Sequence, residues 1–323
     1  MKFAFVFPGQ GSQSVAMMAA YGDEPLLRDT FAEASAVLGF DLWTMVSDGP
    51  AEILNQTVNT QPAMLAAGVS LYRLWLARGG AAPALMAGHS LGEYTALTCA
   101  GGIDFADAIR LVRLRAEAMQ SAVPEGVGAM AAILGLDDAG VRAVCAEAAQ
   151  GEVLEAVNFN SPGQVVIAGD KAAVLRGMVQ ARERGAKRAL ALSVSVPSHC
   201  ALMKPAAEKL RAALAGIEIR VPAVPVIHNV DVAAHADADA IRDALARQLF
   251  SPVRWVESMF ALRDAGVRLI AECGPGKVLA GLNKRTLDIP TLAMADAAAL
   301  ADVLARFVDT LTPSPSPVRG RGE

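Results

Sequence analysis

Short apolar runs in this chain alternate with longer segments whose apolar positions repeat with a helical period. Phe3–Phe7 and residues 84–87 have the length of strands, and Gln61–Ala77 and Ala106–Val123 have the length of helices. Continuous apolar runs indicate strands buried on both faces, as in parallel sheets whose strands are connected by helices. The pattern predicts an α/β protein with a parallel sheet covered on both sides, and Gln61–Ala77 is expected to be a long amphipathic helix.

Residues 126–196 follow a different order of elements. The turn signal Asn160–Gly163 joins two predicted strands, and Gly185 ends a predicted helix. The predicted order is β-α-β-β-α-β, with elements at Gly128–Ile133, Asp137–Ala149, Val153–Asn158, Gln164–Gly169, Lys171–Arg184 and Arg188–Val194. This is the order of a ferredoxin-like unit. We predict a ferredoxin-like subdomain at residues 126–196, inserted into a discontinuous body formed by residues 1–125 and 197–311.

The α/β body resumes after the insert with alternating helices and strands. The helices are predicted at His199–Ala215, Ala238–Leu249, Val256–Ala265 and Ala298–Leu311, and the strands at Pro225–His228, Val267–Glu272 and Pro290–Ala295. Thr312–Glu323 is rich in Pro, Ser, Gly and Arg and has few residues that a core would bury. We therefore predict residues 312–323 to be a disordered tail.

Composition and charge exclude several classes of function. The chain has 323 residues, of which 53% are hydrophobic and 19% charged, and its net charge is −4. No overall positive field favours nucleic acid or an anionic membrane as a partner, and no apolar stretch approaches transmembrane length. The four cysteines are far apart, lack metal-ligand spacing and lie among apolar or small residues, which is typical of reduced, buried thiols. We expect a cytoplasmic protein.

Gly88-His89-Ser90-Leu91-Gly92 lies between a predicted strand and a helix predicted at Glu93–Ala100. A Gly-x-Ser-x-Gly sequence in this context is typical of a nucleophile elbow, a strained turn that presents the serine hydroxyl at the edge of the sheet. The alternative is a glycine-rich strand–helix turn in which Ser90 caps the helix. The elbow interpretation makes Ser90 a candidate nucleophile.

A serine nucleophile needs a base, and the chain has four histidines. His89 is expected to point away from Ser90, and His235 lies in a polar segment where we expect it to be solvated. His228 follows a predicted strand and is either structural or close to the site. His199 lies where the insert ends and a helix begins, so it is the best candidate for the base, although an ordinary histidine at a helix N-terminus is an alternative.

Acyl chemistry also needs N–H donors for the oxyanion of the tetrahedral intermediate. The backbone amide of Leu91 follows the nucleophile, and the Gly9-Gln10-Gly11 loop offers the amide of Gln10 as a second donor. A phosphate-binding loop is the weaker interpretation, because the segment has neither the lysine of a P-loop nor the spacing of a dinucleotide site.

Arginine residues on the predicted helix 106–123 are candidates for binding a negatively charged substrate. Arg110, Arg113 and Arg115 are each expected on a solvated face or in a structural ion pair unless one of them turns inward. Arg115 and Arg113 are about 200° apart around the helix, so they do not share a face. Arg115 lies close to apolar positions on the wheel, which favours it as the buried member and as a clamp for a carboxylate.

These motifs resemble the malonyl-CoA:acyl carrier protein transacylase family of bacterial fatty acid synthesis. The resemblance extends from Phe3 to about Phe307 and depends on residues 7–13, residues 88–94, Arg115 with Met119-Gln120, residues 158–164, Val194–His199 and Gly274-Pro275-Gly276. It implies an α/β-hydrolase-like body with a ferredoxin-like insert, malonyl-CoA and acyl carrier protein as partners, and no cofactor.

The resemblance also implies a role for each site residue. Ser90 corresponds to the acylated nucleophile and His199 to its base, while Gln10 and Leu91 correspond to the oxyanion donors. Arg115 corresponds to the arginine that pairs with the malonyl carboxylate, and Gln248 to a residue that helps to orient the histidine. The carrier protein is expected to be acidic, so exposed basic residues near the cleft are docking candidates, namely Lys187, Arg188, Lys204, Lys284 and Arg285.

Three alternatives to this function stay open. A serine hydrolase or thioesterase shares the elbow, and a malonyl transferase of polyketide assembly or malonate decarboxylation shares the motifs. A catalytically silent module that binds the carrier protein is the third. The intact Ser90, His199 and Arg115 argue against the silent module.

Overall fold

The structure is a computed structural model in which residues 1–192, 194 and 196–311 are described, with side chains to residue 306. The predicted disordered tail at residues 312–323 lies outside the described residues. Within the described part, the chain is a mixed α/β protein with one parallel and one antiparallel sheet, so the predicted fold class is confirmed.

The strands of the described residues, in chain order, are β1 (Phe3–Phe7), β2 (Leu85–Gly88), β3 (Gly128–Leu134), β4 (Leu154–Ser161), β5 (Gln164–Asp170), β6 (Arg188–Ala191), β7 (Val226–Ile227), β8 (Leu269–Glu272) and β9 (Thr291–Ala293). The parallel sheet has the order β7-β2-β1-β8-β9. The antiparallel sheet has the order β4-β5-β3-β6. The first and third strands of the insert are therefore neighbours at the centre of its sheet, as the β-α-β-β-α-β order predicts.

The helices, in chain order, are α1 (Pro25–Leu38), α2 (Leu42–Asp48), α3 (Ala51–Leu54), α4 (Thr57–Ala77), α5 (Leu91–Cys99), α6 (Phe105–Ala122), α7 (Asp138–Ala149), α8 (Lys171–Glu183), α9 (Lys204–Ala215), α10 (Ala238–Gln248), α11 (Trp255–Asp264), α12 (Val278–Asn283) and α13 (Ala297–Leu311). Helices α7 and α8 pack with the antiparallel sheet around their own apolar core. This arrangement agrees with a separate unit at residues 126–196, although the domain boundaries themselves stay a prediction.

Residues 61–77 are helical as predicted, but the prediction that this helix is amphipathic is wrong. Helix α4 begins at Thr57 and is buried along most of its length, on its polar positions as well as its apolar ones. It packs against α1, α5 and α6, and Tyr72 and Trp75 meet the ring of Phe5 edge-on. A helix surrounded on several sides has no solvent face, so its sequence need not show one-sided periodicity.

Two predicted element boundaries differ from the structure next to the site. The helix after the elbow begins at Leu91 rather than Glu93, which places Ser90 directly before its first residue. The helix predicted to begin at His199 begins at Lys204, after a 3₁₀ turn at Ala201–Met203. His199 is therefore a loop residue and does not begin a helix.

The structure also tests two expectations about membrane-spanning segments and about the cysteines. Among the described residues, no helix is both long and apolar enough to cross a membrane. Cys145, Cys200 and Cys273 are buried free thiols as expected, whereas Cys99 is partly exposed. The expected cytoplasmic location stays a prediction.

Candidate active site

The turn around Ser90 has the geometry of a nucleophile elbow. Ser90 has φ 52° and ψ −108°, and its side chain makes no capping hydrogen bond to α5, so the capping alternative is wrong. A Cβ at Gly88 would lie 1.9 Å from the carbonyl carbon of Gly92, and one at Gly92 would lie 2.0 Å from the carbonyl oxygen of Phe7. Only glycine fits at either position. The turn therefore holds Ser90 at a positive φ, an unfavourable conformation for a serine, close to the end of the central strand β1.

His199 is the ring that contacts Ser90. Its Nε2 lies 2.8 Å from Ser90 Oγ, and its Nδ1 lies 2.8 Å from the carbonyl oxygen of Gln248. A carbonyl only accepts hydrogen bonds, so Nδ1 carries the proton and Nε2 is left as the acceptor for the serine hydroxyl. The imidazole is 3% exposed. This arrangement is that of a base ready to take the Ser90 proton.

Burial and the nearby positive charge of Arg115 lower the pKa of His199 to about 3. Both causes disfavour the protonated ring, because burial removes its hydration and Arg115 repels a second cation. His199 is therefore neutral, and able to act as a base, at any pH well above that value.

This lowered pKa predicts that the reactivity of Ser90 is nearly independent of pH down to pH 5. The rate at which a small sulfonyl fluoride labels Ser90 should change less than about twofold between pH 8 and pH 5, whereas a base with an ordinary histidine pKa near 6.5 would lose about 30-fold. Labelling at fixed reagent concentration, followed by mass spectrometry of the intact protein, measures this rate. A tenfold loss between pH 7 and pH 5 would show that His199 titrates as an ordinary histidine.

Arg115 is the buried arginine of α6, as its position on the helix suggests. Its side chain is 1% exposed, and its Nη2 lies 3.3 Å from Ser90 Oγ and 3.1 Å from Gln248 Oε1. Its Nη1 donates to Gln61 Oε1 at 2.8 Å. A buried cation beside the nucleophile attracts an anionic group of whatever is attached there, because desolvation strengthens charge–charge interactions.

The other two arginines of this helix lie on its outer face. Arg110 pairs with Asp107, and Arg113 pairs with Glu117 while also donating to the carbonyl oxygen of Val58. These are the structural ion pairs expected for exposed helix positions. Arg115 alone among the three candidates reaches Ser90.

The Gly9–Gly11 loop approaches the elbow closely. A Cβ at Gly9 would lie 2.4 Å from the His89 carbonyl oxygen and 3.7 Å from the Leu91 amide nitrogen. Gln10 lines the same cleft as Ser90 and Leu91, and its side-chain Oε1 accepts a hydrogen bond from the Thr57 hydroxyl at 3.0 Å. The amide of Leu91 belongs to the first residue of α5 and so has no partner within that helix. The structure thus brings both candidate oxyanion donors to the same cleft.

Gln248 supports the site with both its backbone and its side chain. Its carbonyl oxygen holds His199, its side-chain Nε2 donates to the Ser90 carbonyl oxygen at 3.0 Å, and its Oε1 accepts from Arg115. The position taken by an acid in a full triad is therefore occupied by a neutral backbone carbonyl. An imidazolium formed at His199 would be stabilised by that dipole and not by a carboxylate.

The remaining histidines are not placed to act as the base. His89 contacts Asn160 Oδ1 at 2.7 Å and packs beside the Trp255 ring, and it lines the same cleft as Ser90. His235 was expected to be solvated, but it bonds to Asp231 at 3.1 Å and lies against the His228 ring. His228 itself is buried and structural.

Three buried polar residues near Ser90, namely Gln61, Glu93 and Asn229, were not singled out by the sequence, and His228 was expected to be either structural or close to the site. Glu93, His228 and Asn229 form one connected group beside the elbow, and Gln61 holds Arg115. Glu93 does carry a signal, since it is a charged residue within an otherwise uncharged helix. Such residues are found buried when they are hydrogen-bonded.

The cleft above Ser90 lies between the two sheets. The antiparallel sheet contributes Met130, Asn158 and Val166 to its walls, and Met119 of α6 lies beside Arg115. Among the described residues, no group of three or more His, Cys, Asp or Glu side chains is placed to hold a metal ion. A serine, a neutral histidine, two backbone amides and a buried cation together equip the cleft for acyl transfer of a group that carries a negative charge.

Comparison with known proteins gives the same class of chemistry. A family model described as an acyl transferase domain matches residues 4–307. The malonyl CoA-acyl carrier protein transacylase of Escherichia coli (strain K12) is 61% identical over 291 residues, which cover 90% of this chain and 94% of that protein.

Solved structures agree in fold over nearly the whole chain. The acyl-carrier-protein S-malonyltransferase from Burkholderia pseudomallei 1710b has a TM-score of 0.93 and 56% identity, covering 94% of this chain and 100% of that one. A malonyl transacylase solved in complex with its holo type II polyketide synthase acyl carrier protein has a TM-score of 0.94 and 56% identity, covering 95% of this chain and 100% of that one.

Proposed function

Since the chain belongs to the malonyl-CoA:acyl carrier protein transacylase family of acyl transferases, we propose that it moves a malonyl group from CoA to the phosphopantetheine thiol of an acyl carrier protein. The observation that carries the proposal is the contact of Ser90 Oγ with both the His199 ring and the Arg115 guanidinium. The first contact supplies a base, and the second supplies a partner for the carboxylate that distinguishes malonyl from simple acyl groups.

The first half-reaction forms a malonyl-serine ester. His199 Nε2 takes the proton of Ser90 as Oγ attacks the thioester carbonyl, and the resulting oxyanion is bound by the amides of Leu91 and Gln10. When the tetrahedral intermediate collapses, the C–S bond breaks and the proton on His199 passes to the sulfur of CoA. The products are free CoA, acylated Ser90 and a neutral histidine.

The second half-reaction reverses these steps with a different thiol. His199 takes the proton of the phosphopantetheine thiol, and the sulfur attacks the ester carbonyl within the same pair of amide donors. The C–O bond to Ser90 breaks, and His199 returns its proton to Oγ. One base and one oxyanion site thus serve both thiols, which is a ping-pong exchange.

Arg115 is proposed to pair with the malonyl carboxylate through its planar fork of N–H groups. In the structure Nη2 contacts Ser90 Oγ and Gln248 Oε1, so a carboxylate on the serine ester would replace these contacts with a charged one. Gln61 holds the other terminal nitrogen and so keeps the guanidinium plane in place. Malonyl-CoA is therefore the proposed donor, and acyl groups without a carboxylate would be poor substrates.

We propose that the reaction needs no cofactor, because side chains and backbone amides of this chain supply every proton transfer and charge contact in the two half-reactions. The CoA thioester is a substrate. The proposed acceptor is the acyl carrier protein of fatty acid synthesis, and a polyketide carrier protein is the alternative.

Exposed basic residues at one end of the antiparallel sheet are proposed to dock the acidic carrier protein. Arg188 lies opposite Leu134 on the neighbouring strand, at one end of this sheet. Gln164 lies opposite Leu134 on the other side, and its Oε1 accepts a hydrogen bond from Arg285 at 2.7 Å. Lys187 and Lys284 are next to these two arginines in the sequence and are also exposed. Lys204 lies near Glu155 of β4 instead, so its charge is partly balanced there.

Mass spectrometry of the intact protein tests the proposal in two steps. Malonyl-CoA alone should add one malonyl group at Ser90, and later addition of holo acyl carrier protein should move that group to the carrier. The ester should persist in buffer for many times longer than its transfer takes, since water would not compete with the thiol.

Each other result excludes a step of the proposal. Loss of the acyl group to water as fast as to the carrier would indicate a hydrolase. The absence of any adduct would indicate a module that binds without catalysis. The Ser90→Ala variant, which cannot form the ester, gives the background for both steps.

A further inference from the structure

Three buried polar residues beside the elbow, Glu93, His228 and Asn229, have no part in the proposed chemical steps. Asn229 and Glu93 are 0% exposed and His228 is 1% exposed. Asn229 and His228 follow β7, whereas Glu93 lies in the first turn of α5. Their contacts therefore join the edge strand of the parallel sheet to the helix that follows the nucleophile.

The carboxamide of Asn229 spans the elbow. Its Oδ1 accepts the backbone N–H of Ser90 at 2.7 Å, and its Nδ2 donates to the carbonyl oxygen of Gly88 at 2.7 Å. These two backbone groups lie on either side of the turn. One planar side chain thus sets the distance and angle between the end of β2 and the nucleophile.

Asn229 is itself held from α5. Glu93 Oε2 accepts the backbone N–H of Asn229 at 2.8 Å, and Glu93 Oε1 contacts His228 Nδ1 at 2.7 Å. Both carboxylate oxygens of Glu93 therefore have a hydrogen-bond partner, although the side chain is fully buried. A buried polar network whose hydrogen bonds are made is rigid and has few alternative arrangements.

Two consequences follow for Ser90. A positive φ is unfavourable for serine and persists only where the surroundings enforce it, and the Asn229 contacts supply two such restraints. The same contacts occupy the Ser90 amide. The oxyanion donors are then the amides of Leu91 and Gln10, because the amide of the nucleophile itself points to Asn229.

We propose that Asn229 is a positioning residue that holds Ser90 in its strained conformation, with Glu93 and His228 fixing Asn229 in turn. The proposal rests on the proposed acyl transfer for its kinetic readout, but its geometry concerns only the reactivity of Ser90. A clamp of this kind acts on every acyl group equally, since it touches the nucleophile and not the substrate.

The Asn229→Ala variant tests the clamp by the rate of Ser90 acylation. The single-turnover acylation rate with malonyl-CoA, and the rate of Ser90 labelling by a sulfonyl fluoride, should both fall by about 10²-fold, as a misplaced reacting group predicts. The KM for malonyl-CoA should change less than about threefold, and acetyl transfer should fall by the same factor as malonyl transfer.

Asn283→Ala is the matched control. Asn283 is also 0% exposed, and its amide makes two side-chain hydrogen bonds, to Trp255 and Thr291. Removing it should lower the melting temperature as much as Asn229→Ala does but leave the acylation rate within about twofold. Equal rate losses in the two variants would assign Asn229 a general structural role and overturn the proposal.

Asn229→Asp gives a pH signature that a packing role would not produce. A neutral carboxyl can accept from Ser90 and donate to Gly88 like the amide, whereas a carboxylate cannot donate. Glu93 on α5 accepts the backbone N–H of Asn229 and contacts His228, and the backbone N–H of Arg254 donates to the Asn229 carbonyl oxygen. Asp231 and His235 lie on the same loop, where Asp231 is paired with Arg247, and the His199 ring contacts Ser90 across the elbow. Glu93 favours protonation of the introduced carboxyl, while Arg254 opposes it.

The acylation deficit of Asn229→Asp should therefore shrink at least fivefold between pH 8 and pH 5, while that of Asn229→Ala stays constant. Parallel pH profiles for the two variants would overturn the clamp. If the wild-type protein is labelled by sulfonyl fluoride but not by malonyl-CoA, the proposed function fails while the clamp is still decided by the labelling rates.

Discussion

Ser90→Ala and His199→Ala should each lower malonyl transfer by about 10⁴- to 10⁶-fold, and the double variant should lose no more than the worse single one. Ser90 Oγ and His199 Nε2 are 2.8 Å apart and act in the same proton transfer. Removing either group therefore abolishes that step, and removing the second group as well costs nothing more. Transfer is measured as malonyl-carrier protein formed from malonyl-CoA, with the acyl-enzyme followed by intact mass.

Ser70→Ala is the control for loss of a buried hydroxyl. Ser70 is 0% exposed on α4 and its hydroxyl donates to the carbonyl oxygen of Ala67, so transfer should stay within about twofold. Additive losses in the double variant, or His199→Ala with acylation close to the wild-type rate, would mean that another group takes the proton from Ser90.

Arg115→Ala should abolish the preference for malonyl over acetyl groups. Truncating one partner of a buried charge pair costs about 3 kcal/mol, which corresponds to about 10²-fold in malonyl transfer. Acetyl transfer should not fall by that factor, because an acetyl group brings no charge to the site. A competition assay with equal malonyl-CoA and acetyl-CoA measures the ratio directly.

Arg113→Ala is the matched control, because Arg113 lies on the same helix but pairs with Glu117 at the surface. Its ratio of malonyl to acetyl transfer should stay within about twofold of wild type. Arg115→Lys should recover only part of the preference, since an ammonium lacks the fork that matches a carboxylate. An unchanged ratio in Arg115→Ala would rule out the carboxylate clamp.

Much of the fold was predictable because its signals are local. Continuous apolar runs mark the central strands, Gly88 and Gly92 mark the elbow, and the turn Asn160–Gly163 marks the hairpin of the insert. The character of α4 was not predictable in the same way. Its burial comes from helices that are distant in the sequence, and periodicity within the helix does not report on them.

The residues of the candidate site also differ in whether local sequence predicts their positions. Ser90 and Leu91 lie within the pentapeptide, so its two glycines predict the turn and the place of both residues in it. His199 reaches Ser90 across 109 positions, and Asn229 reaches it across 139. An asparagine after a short strand carries no local sign of such a contact, and for that reason Asn229 was missed while the more distinctive His199 was selected.

By itself the sequence determined the order of the elements, the strained turn at Ser90 and the family to which the chain is similar, since each depends on residue types at short spacing. Only the tertiary structure decided which groups act on Ser90. It placed a backbone carbonyl of Gln248 behind His199, turned Arg115 inward and set Asn229 across the elbow. These contacts join residues that are 25 to 141 positions apart in the chain, and their geometry exists only once the sheets and helices have packed.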